Sequence, residues 1–533
     1  MLARISPKAI KPTITALNLV PQLFQTLTFL DHDIIDQSYA MPDEQNSYTQ
    51  VSADYFAKRG LRRYAGVASL WALGVGAVIS GHYSGWNLGL LAGGWGGFAL
   101  AAFVIAVMYL GLVFCIAEMG AALPHTGGAY SFARASMGPW GGFITGLCEN
   151  VEYVLTPAVV VSFLATYLAA VFDTPTAWLP AYWVAGYAVF VGLNVWGVEL
   201  SFRVTVVVTL AALACLAVFW ISALPVAEFK RFALNIGAGP DGTAIELPQG
   251  DGPLLPFGIT GAFAALPFAV WLFLAIEQLP LAAEESMDPS RDIPRGIIAG
   301  LLTLFVSAGL ILWLNPSVAP GSFKLGVSGE PLLDGFRATF GDGLAKTLAL
   351  VACIGLIASF HTILFAKGRQ IYSLSRAGYF PRFLSITHPR HKTPYVALLA
   401  GSAVALAIMF GLWFGMGAEK GAVAIQGTLL NMAVAGAMLS YLLQAVSFIV
   451  LRMRRPRLAR PYRSPLGILG AIVTLVIATI TLAFQLVDPM FATGVTWVGV
   501  WFTLGIIWFA LVGQNRLVLA PEEAFAIGAS ESD

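Results

Sequence analysis

Long stretches without a charged residue alternate with short charged loops along most of this chain. A membrane-spanning helix needs about 20 predominantly apolar residues, and the first such stretch, 64–117, is long enough for two helices separated by the glycine-rich LLAGGWGG. Ten further stretches follow it, at 153–172, 174–198, 204–227, 253–276, 296–323, 347–366, 393–418, 421–451, 464–487 and 489–515. The pattern therefore predicts an all-α integral membrane protein with twelve transmembrane helices.

Lysine and arginine residues distribute unevenly over the predicted loops. If the N-terminus is inside, only six of the 30 lie on the outer side: Lys230, Arg231, Lys324, Arg337, Lys346 and Lys420. Loops rich in lysine and arginine usually lie on the cytoplasmic side of a membrane. We therefore expect both termini in the cytoplasm and the chain in the inner membrane. The expected domains are an N-terminal tail (1–63), a transmembrane domain (64–515) and a C-terminal tail (516–533). Residues 1–50 are either part of this tail or the product of an over-long gene start.

Composition excludes several classes of protein. Hydrophobic residues make up 58% and charged residues 11% of the 533 positions, and mean hydropathy is +0.77. A soluble protein carries about 25% charged residues, which excludes a soluble enzyme, and the net charge of +1 gives no bulk attraction for nucleic acid. The four cysteines show no CxxC spacing, so neither a disulfide framework nor a metal or other cofactor is expected.

Two spans, the first and the sixth, contain helix-breaking residues at predicted mid-membrane depth. The first reads LGVGAVISGHYSGWNLG, and the sixth combines two glycines with Pro267 and Pro280. Freed backbone groups are tolerated in a membrane only where they line a cavity or a ligand. Breaks five helices apart predict two inverted halves of five helices with a substrate site between them, plus two C-terminal helices. The alternative is that the glycines merely allow close helix packing.

Several stretches resemble the amino acid–polyamine–organocation transporter family. They are IAEMGAALPHTGGAYSFARASMGPWGGF after the second span, WLFLAIEQLPLAAEESMDPSRDIPRGI at the sixth, AKGRQIYSLSRAGYFPRF after the eighth, and RPYRSPLG before the eleventh. Within the family, ENVEYVLTPAVVV is most similar to ethanolamine permeases. The chain departs from the family's amino-acid carriers at Ile79–Tyr83, which replaces their glycine-rich carboxylate-binding break, and in the fifth span, which lacks a coupling lysine.

A small ammonium ion that leaves water needs carboxylates, carbonyl oxygens or an aromatic face. The substrate-binding candidates lie at the two breaks and at the start of the third span: Ser80, Gly81, His82, Tyr83, Glu149, Glu152, Tyr153, Phe268 and Trp271. Trp271 aligns with the family's substrate-covering aromatic residue, although a packing role is the alternative. One of the two glutamates is expected to neutralise the amine, unless both remain surface charges at the water interface.

Glu277 and His82 are the candidates for gating or proton coupling. Glu277 follows the sixth-span break and has no lysine or arginine within a helical turn, so a buried carboxyl group there would be protonatable. Its alternative role is to accept hydrogen bonds from the freed amides of the break. His82 would pass protons or simply donate a hydrogen bond to a carbonyl group.

The predicted function is secondary active transport of a small amine, ethanolamine first, by alternating access. No phosphate-binding GxxxxGK[ST] motif occurs, so a gradient or exchange must supply the driving force. An amino-acid or polyamine permease or exchanger is the alternative within the family. A membrane-embedded enzyme or receptor is a separate class, which the absence of a nucleophile–base or metal-binding spacing disfavours. The expected partners are the amine, a possible coupling proton and membrane lipid, and the oligomeric state is open.

Overall fold

A computed structural model describes residues 48–49, 51–52 and 54–527. The predictions for residues 1–47 therefore lie outside the described residues. The helices that account for the predicted spans are α1 (Val67–Val78, continued by Ser80–Tyr83), α2 (Gly89–Ala122), α3 (Ala129–Phe172), α4 (Leu179–Trp196), α5 (Val198–Ala223), α6 (Gly258–Val270), α7 (Pro289–Leu314), α8 (Pro331–Arg376), α9 (Tyr395–Met416), α10 (Ala418–Arg454), α11 (Gly467–Val487) and α12 (Ala492–Trp508). In this part of the chain, ten are long and apolar enough to cross a membrane, while α1 and α6 are shorter.

The predicted number of spans is confirmed, and the two short helices are the two predicted to be broken. An apolar segment in lipid must satisfy its own backbone hydrogen bonds, which explains why the long apolar stretches all form helices. The glycine-rich stretch predicted to separate the first two spans lies in the first turns of α2, where Gly94 (φ 65°, ψ 177°) interrupts the helical backbone. Two short antiparallel strands, β1 (Ile236–Ala238) and β2 (Ala244–Glu246), lie in the α5–α6 connection.

The ends of the helices define two faces of the bundle. Most of the described arginines lie at the start of α7, in the last turns of α8 and α10 and in the loops that follow those two helices. Arg452 at the end of α10 pairs with Glu118 near the end of α2. We call this end the Arg-rich face and the end that carries the two strands the opposite face. Consecutive helices run in alternating directions between them.

Packing within the bundle leaves an apolar outer surface. Helix α3 packs against α8 and α10, α2 packs against α6, and α1 packs against α5, α7 and α8. Large apolar side chains point outward from several helices; Phe103, Phe414 and Leu511 are 67%, 78% and 73% exposed. An apolar surface of this extent suits a lipid environment and not water. The chain is thus a multi-pass membrane protein whose broken helices lie inside the bundle.

Candidate substrate site

The α6 break begins at Trp271, immediately after the helix ends at Val270. Residues 271–275 form a series of turns, and Ala275 adopts a left-handed conformation (φ 80°, ψ 5°) before a 3₁₀ helix resumes at Ile276–Glu285. Left-handed geometry is uncommon for a residue with a side chain. The predicted interruption of the sixth span is therefore confirmed.

The α1 break lies slightly later than the sequence suggested. Ser80–Tyr83 forms one helical turn after Ile79, whose backbone is still right-handed helical (φ −60°, ψ −24°), and the backbone becomes non-helical only at Ser84 and Gly85. Ser84 is extended (φ −161°, ψ 155°), whereas Gly85 has a positive φ of 92°. Glycine allows this because it has no Cβ. The predicted residues thus precede the break and pack against its partner.

The two breaks are in direct contact with each other. A Cβ built on Gly81 would lie 2.3 Å from the carbonyl oxygen of Trp271, so only glycine fits this approach. The indole Nε1 of Trp271 in turn donates to the carbonyl oxygen of Ser84 over 3.0 Å. The carbonyl group that the α1 break frees at Ser84 therefore receives a hydrogen bond from a side chain of the α6 break, as burial in a membrane protein requires.

His82 connects the same contact to α7. Its Nε2 lies 3.0 Å from the carbonyl oxygen of Leu272, and its Nδ1 lies 2.7 Å from Oγ of Ser307. A carbonyl oxygen only accepts, so Nε2 must carry the hydrogen, and in the neutral ring Nδ1 accepts from the serine hydroxyl. Both ring nitrogens therefore have partners, which matches the hydrogen-bonding alternative foreseen for His82.

The remaining candidates of α1 are tied to other helices. Ser80 donates to Ser359 of α8 over 2.7 Å, and the hydroxyl of Tyr83 donates to the carbonyl oxygen of Ala212 in α5 over 2.7 Å. Phe268 instead packs against Phe491, with ring centroids 5.9 Å apart. These contacts fix the first break relative to α5 and α8. They do not bring Phe268 into contact with the acidic candidates.

Glu149, Glu152 and Glu277 come together in the interior of the bundle. They are 2%, 0% and 4% exposed, so they are not surface charges. Neither oxygen of Glu152 has a hydrogen-bond donor, and one oxygen of each of the other two also lacks a partner. Tyr153 donates to Glu277 over 3.4 Å. Within the described residues, no lysine or arginine pairs with any of the three.

Glu152 and Glu277 interact electrostatically, and neither oxygen of Glu152 has a donor, so a hydrogen bond between the two carboxyl groups would need one of them to supply the hydrogen. Two ionised carboxylates can only accept, so such a bond requires a proton on one of them. An unpaired ionised carboxylate in a low-dielectric interior costs several kcal/mol. The cluster therefore favours the binding of positive charge, whether it arrives as protons or as a cationic ligand.

Two tyrosines complete the surroundings of the acidic cluster, and the sequence reasoning missed both. Tyr109 of α2 and Tyr441 of α10 have hydroxyls 3.1 Å apart. The ring of Tyr109 also lies 5.4 Å from that of Phe273 in the unwound part of α6. The acidic cluster thus adjoins the α6 break on its α2 and α10 side. A polar side chain inside an apolar span was the available sequence signal for both tyrosines.

Ion pairs hold the segment after α6 at the Arg-rich face. Arg369 of α8 forms a fully buried two-point pair with Glu285, at 2.7 and 3.1 Å. Arg376 pairs with Glu284 at 2.6 Å and with Glu522 at 2.9 Å. Burial alone would raise the pKa of Glu284, but the Arg376 guanidinium outweighs it and lowers that pKa to about 2.

The described part of the expected C-terminal tail, 516–527, folds back onto this face. The short helix Pro521–Ala526 buries both Glu522 and Glu523. Glu523 accepts from Arg134 at 2.5 Å and from Tyr379 at 2.9 Å. The described C-terminal residues therefore belong to the packed bundle on the side of α3 and α8.

One group of side chains in this region has metal-ligand chemistry. Donor atoms of His125, Glu284 and Glu522 lie within 4.8 Å of one another. Arg376 already binds both carboxylates, so a metal ion would have to displace or approach its guanidinium. We therefore describe the group as part of the ion-pair network.

A multi-helix membrane bundle with two touching broken helices at positions one and six has the architecture of a secondary transporter. A family model described as amino acid permease matches residues 66–512. The chain belongs to the amino acid permease family, and it is a membrane transporter, not an enzyme.

Three curated relatives illustrate the range of the family. An uncharacterized transporter of Rhizobium meliloti is 29% identical over 79% of this chain and 86% of its own length. The branched-chain amino acid permease of Bacillus subtilis is 26% identical over 89% of this chain and 97% of its own length. The methylthioribose transporter of the same organism is 24% identical over 86% and 95%. The names of these relatives cover different solutes, so membership alone leaves the substrate open.

Proposed function

We propose that this permease carries a small organic amine, with ethanolamine as the first candidate, by alternating access around the α1 and α6 breaks. The observation that supports it is the buried cluster of Glu149, Glu152 and Glu277, which has no lysine or arginine partner among the described residues. A protonated amine is the class of solute that supplies the missing positive charge. It can also donate up to three hydrogen bonds, which suits the unpartnered oxygens.

The surroundings of the cluster suit a small, singly charged solute. Tyr153, Tyr109 and Tyr441 add hydroxyl groups, and their aromatic faces attract cations by about 0.5 to 2 kcal/mol. Trp271 binds the α1 backbone through its indole nitrogen, which leaves its ring as an apolar cover at the break. A solute of a few heavy atoms with one ammonium and one hydroxyl group matches this mixture of acids, hydroxyls and rings.

An amino acid is the second candidate, and the family itself favours it. One of the relatives is named a branched-chain amino acid permease. An amino acid also brings a carboxylate, which needs donors of its own. The acidic cluster would repel that carboxylate, so the amine end would have to face the cluster and the carboxylate the α1 break at Ser80–Tyr83.

We also propose that both termini face the cytoplasm and that the chain lies in the inner membrane. The distribution of lysine and arginine supports this orientation. The driving force would be an ion gradient or exchange. A proton is the natural coupling ion because the Glu152–Glu277 pair accepts either a proton or an amine.

Uptake of labelled ethanolamine into proteoliposomes, with and without an imposed pH gradient, tests the proposal. Unlabelled ethanolamine, serine, leucine and putrescine compete in parallel. We expect ethanolamine to compete best. Uptake no greater than in empty vesicles would contradict amine transport, and preferential competition by serine or leucine would favour the amino-acid alternative.

Variants connect the result to the cluster. Glu152→Gln keeps the shape of the side chain and removes its charge, so we expect ethanolamine transport to fall at least tenfold while the protein stays folded. Glu419→Gln, at an exposed position in the first turn of α10, is the matched control and should transport normally. Equal transport by both variants would mean that the acidic cluster does not bind the substrate.

A further inference from the structure

A second site lies on the outside of the bundle, between α4 and α9. A groove of about 660 Å³ runs along α4 from Val184 to Trp196 and along α9 from Leu399 to Leu406. At 1.5 Å per residue, the α4 stretch is about 18 Å long. The walls are mainly valine, leucine and alanine side chains. This length and composition suit an extended hydrocarbon chain.

A buried lysine lies behind the wall of this groove. Nζ of Lys367, on α8, donates to Oγ of Ser402 over 2.6 Å and lies 5.1 Å from the ring centroid of Tyr187. Both of these neighbours line the groove. Lys367 itself has no exposed surface, and the buried hydroxyl of Tyr187 has no hydrogen-bond partner.

The electrostatic situation of Lys367 differs from that of the buried arginines on the same helix. Arg369 pairs with Glu285, and Arg376 pairs with two carboxylates. In the part of the chain that the structure describes, Lys367 has a hydroxyl and an aromatic ring but no carboxylate. A charged residue within a membrane is costly and usually pairs with an opposite charge. Among the described residues, no carboxylate provides such a counter-ion for the Lys367 ammonium.

The mouth of the groove carries further positive and titratable groups. His388 and His391 line it at the Arg-rich face, in the α8–α9 loop that also contains Arg390 and Lys392. Trp196 lies at the same end, and tryptophan is typical of the membrane–water interface. The groove therefore opens at headgroup level, with basic side chains at its mouth and a buried lysine behind its wall.

We propose that this groove binds one anionic phospholipid. An acyl chain would lie between α4 and α9, and the phosphate would lie at the mouth beside the loop histidines, attracted by the positive charge of Lys367 behind Ser402 and Tyr187. Basic pockets between membrane helices are known to hold anionic headgroups, and a lysine stem is long enough to bring its ammonium toward the interface. The site is distinct from the proposed amine site and does not depend on the substrate.

Native mass spectrometry and thermal unfolding of the full chain test this proposal. The purified protein is placed in nanodiscs of phosphatidylcholine alone or of phosphatidylcholine with phosphatidylglycerol. We expect one retained phosphatidylglycerol per wild-type chain and a higher unfolding temperature in the mixed nanodiscs. Lys367→Gln should bind that lipid about fivefold more weakly and lose the increase in unfolding temperature.

Two further variants make the outcome decisive. Lys420→Gln, at an exposed position on α10, removes a lysine elsewhere and should behave as wild type. Gly192→Trp fills the groove, because no other side chain or helix lies within 4 Å of a Cβ at Gly192, so it should displace the lipid while leaving Lys367 in place. Equal retention of phosphatidylglycerol by wild type, Lys367→Gln and Gly192→Trp would overturn the proposal. Stabilisation by inorganic phosphate alone would overturn it as well, since the acyl chain would then be unnecessary.

Discussion

Gly81→Ala is the substitution that addresses the contact between the two broken helices most directly. The new Cβ would lie 2.3 Å from the carbonyl oxygen and 3.2 Å from the carbonyl carbon of Trp271. Because ordinary C···O contacts begin at about 3.3 Å, α1 and α6 would have to separate by about 1 Å. The opposing atoms are backbone, so no side-chain rotation can relieve the clash.

The expected cost follows from this separation. Overpacking of a dense interior typically costs about 1 to 3 kcal/mol, and the shift would also weaken the Trp271 to Ser84 and His82 to Leu272 hydrogen bonds. If the substrate-bound state carries all of this strain, a cost of about 1 to 3 kcal/mol corresponds to a loss of substrate affinity of about 5- to 150-fold. Expression and overall fold should survive, since the clash is confined to one contact.

The assay compares substrate affinity and unfolding temperature of Gly81→Ala and Gly309→Ala. Gly309 is exposed on α7 with open space at its Cβ position, so alanine there should leave transport unchanged and stabilise the helix by about 1 kcal/mol. Wild-type transport and stability in Gly81→Ala would refute the reasoning, because the two breaks would then not need to touch. Equal damage in both variants would point to a general intolerance of alanine.

Three further substitutions have defined outcomes. Burial, with the charge of Asp334 adding to it, raises the pKa of Glu330 from 4.5 to about 7. Its stability contribution is present below pH 4.5 and lost as pH rises to about 7, so Glu330→Gln should raise the unfolding temperature at pH 8 and not at pH 4. Glu285→Gln leaves Arg369 buried without its partner and should cost about 3 to 5 kcal/mol in denaturant unfolding; adding Arg369→Met should recover much of this. His82→Phe leaves the Leu272 carbonyl group without its donor from His82 and leaves the Ser307 hydroxyl only its 3.5 Å bond to the Leu304 carbonyl oxygen, which should cost about 1 to 3 kcal/mol in the same assay.

The helices and their interruptions were predictable because each depends on a local property of the sequence. A stretch of about 20 apolar residues in lipid must become a helix, and Pro267 and Gly85 lie at or close to the places where the two helices are interrupted. The position of the first break was less predictable. Ser80–Tyr83 keeps its helical turn because its side chains and backbone pack on α5, α7 and α8, and these contacts are distant in sequence.

The partners of the candidate residues were not predictable for the same reason. Tyr109 and Tyr441 are more than 300 positions apart, yet their hydroxyls meet beside the acidic cluster. Glu522 and Glu523 follow the last apolar stretch, where hydropathy alone favours an exposed tail. Their burial depends on arginines and tyrosines from α3 and α8, and no periodicity near residue 520 indicates those contacts.

The glutamates in the interior and at the Arg-rich face fall into two sets, and within the described residues only one set is paired with arginine. In the sequence the two sets cannot be told apart by their neighbours, because each of these acids lies within two residues of an apolar residue. In the structure, Glu118, Glu284, Glu285, Glu522 and Glu523 each meet an arginine at the Arg-rich face. These pairs neutralise one another and hold loops and helix ends together, so their charges are already accounted for by the fold.

Glu149, Glu152 and Glu277 lie where no such arginine is available among the described residues. A fold that required only rigidity at this position would be served better by apolar side chains of similar size, because unpaired buried charge is destabilising. The proposed function explains the cluster by a positive species that the protein does not itself provide. Since Glu277 directly follows the unwound part of α6, binding and release of that species would act on the segment whose movement alternating access requires.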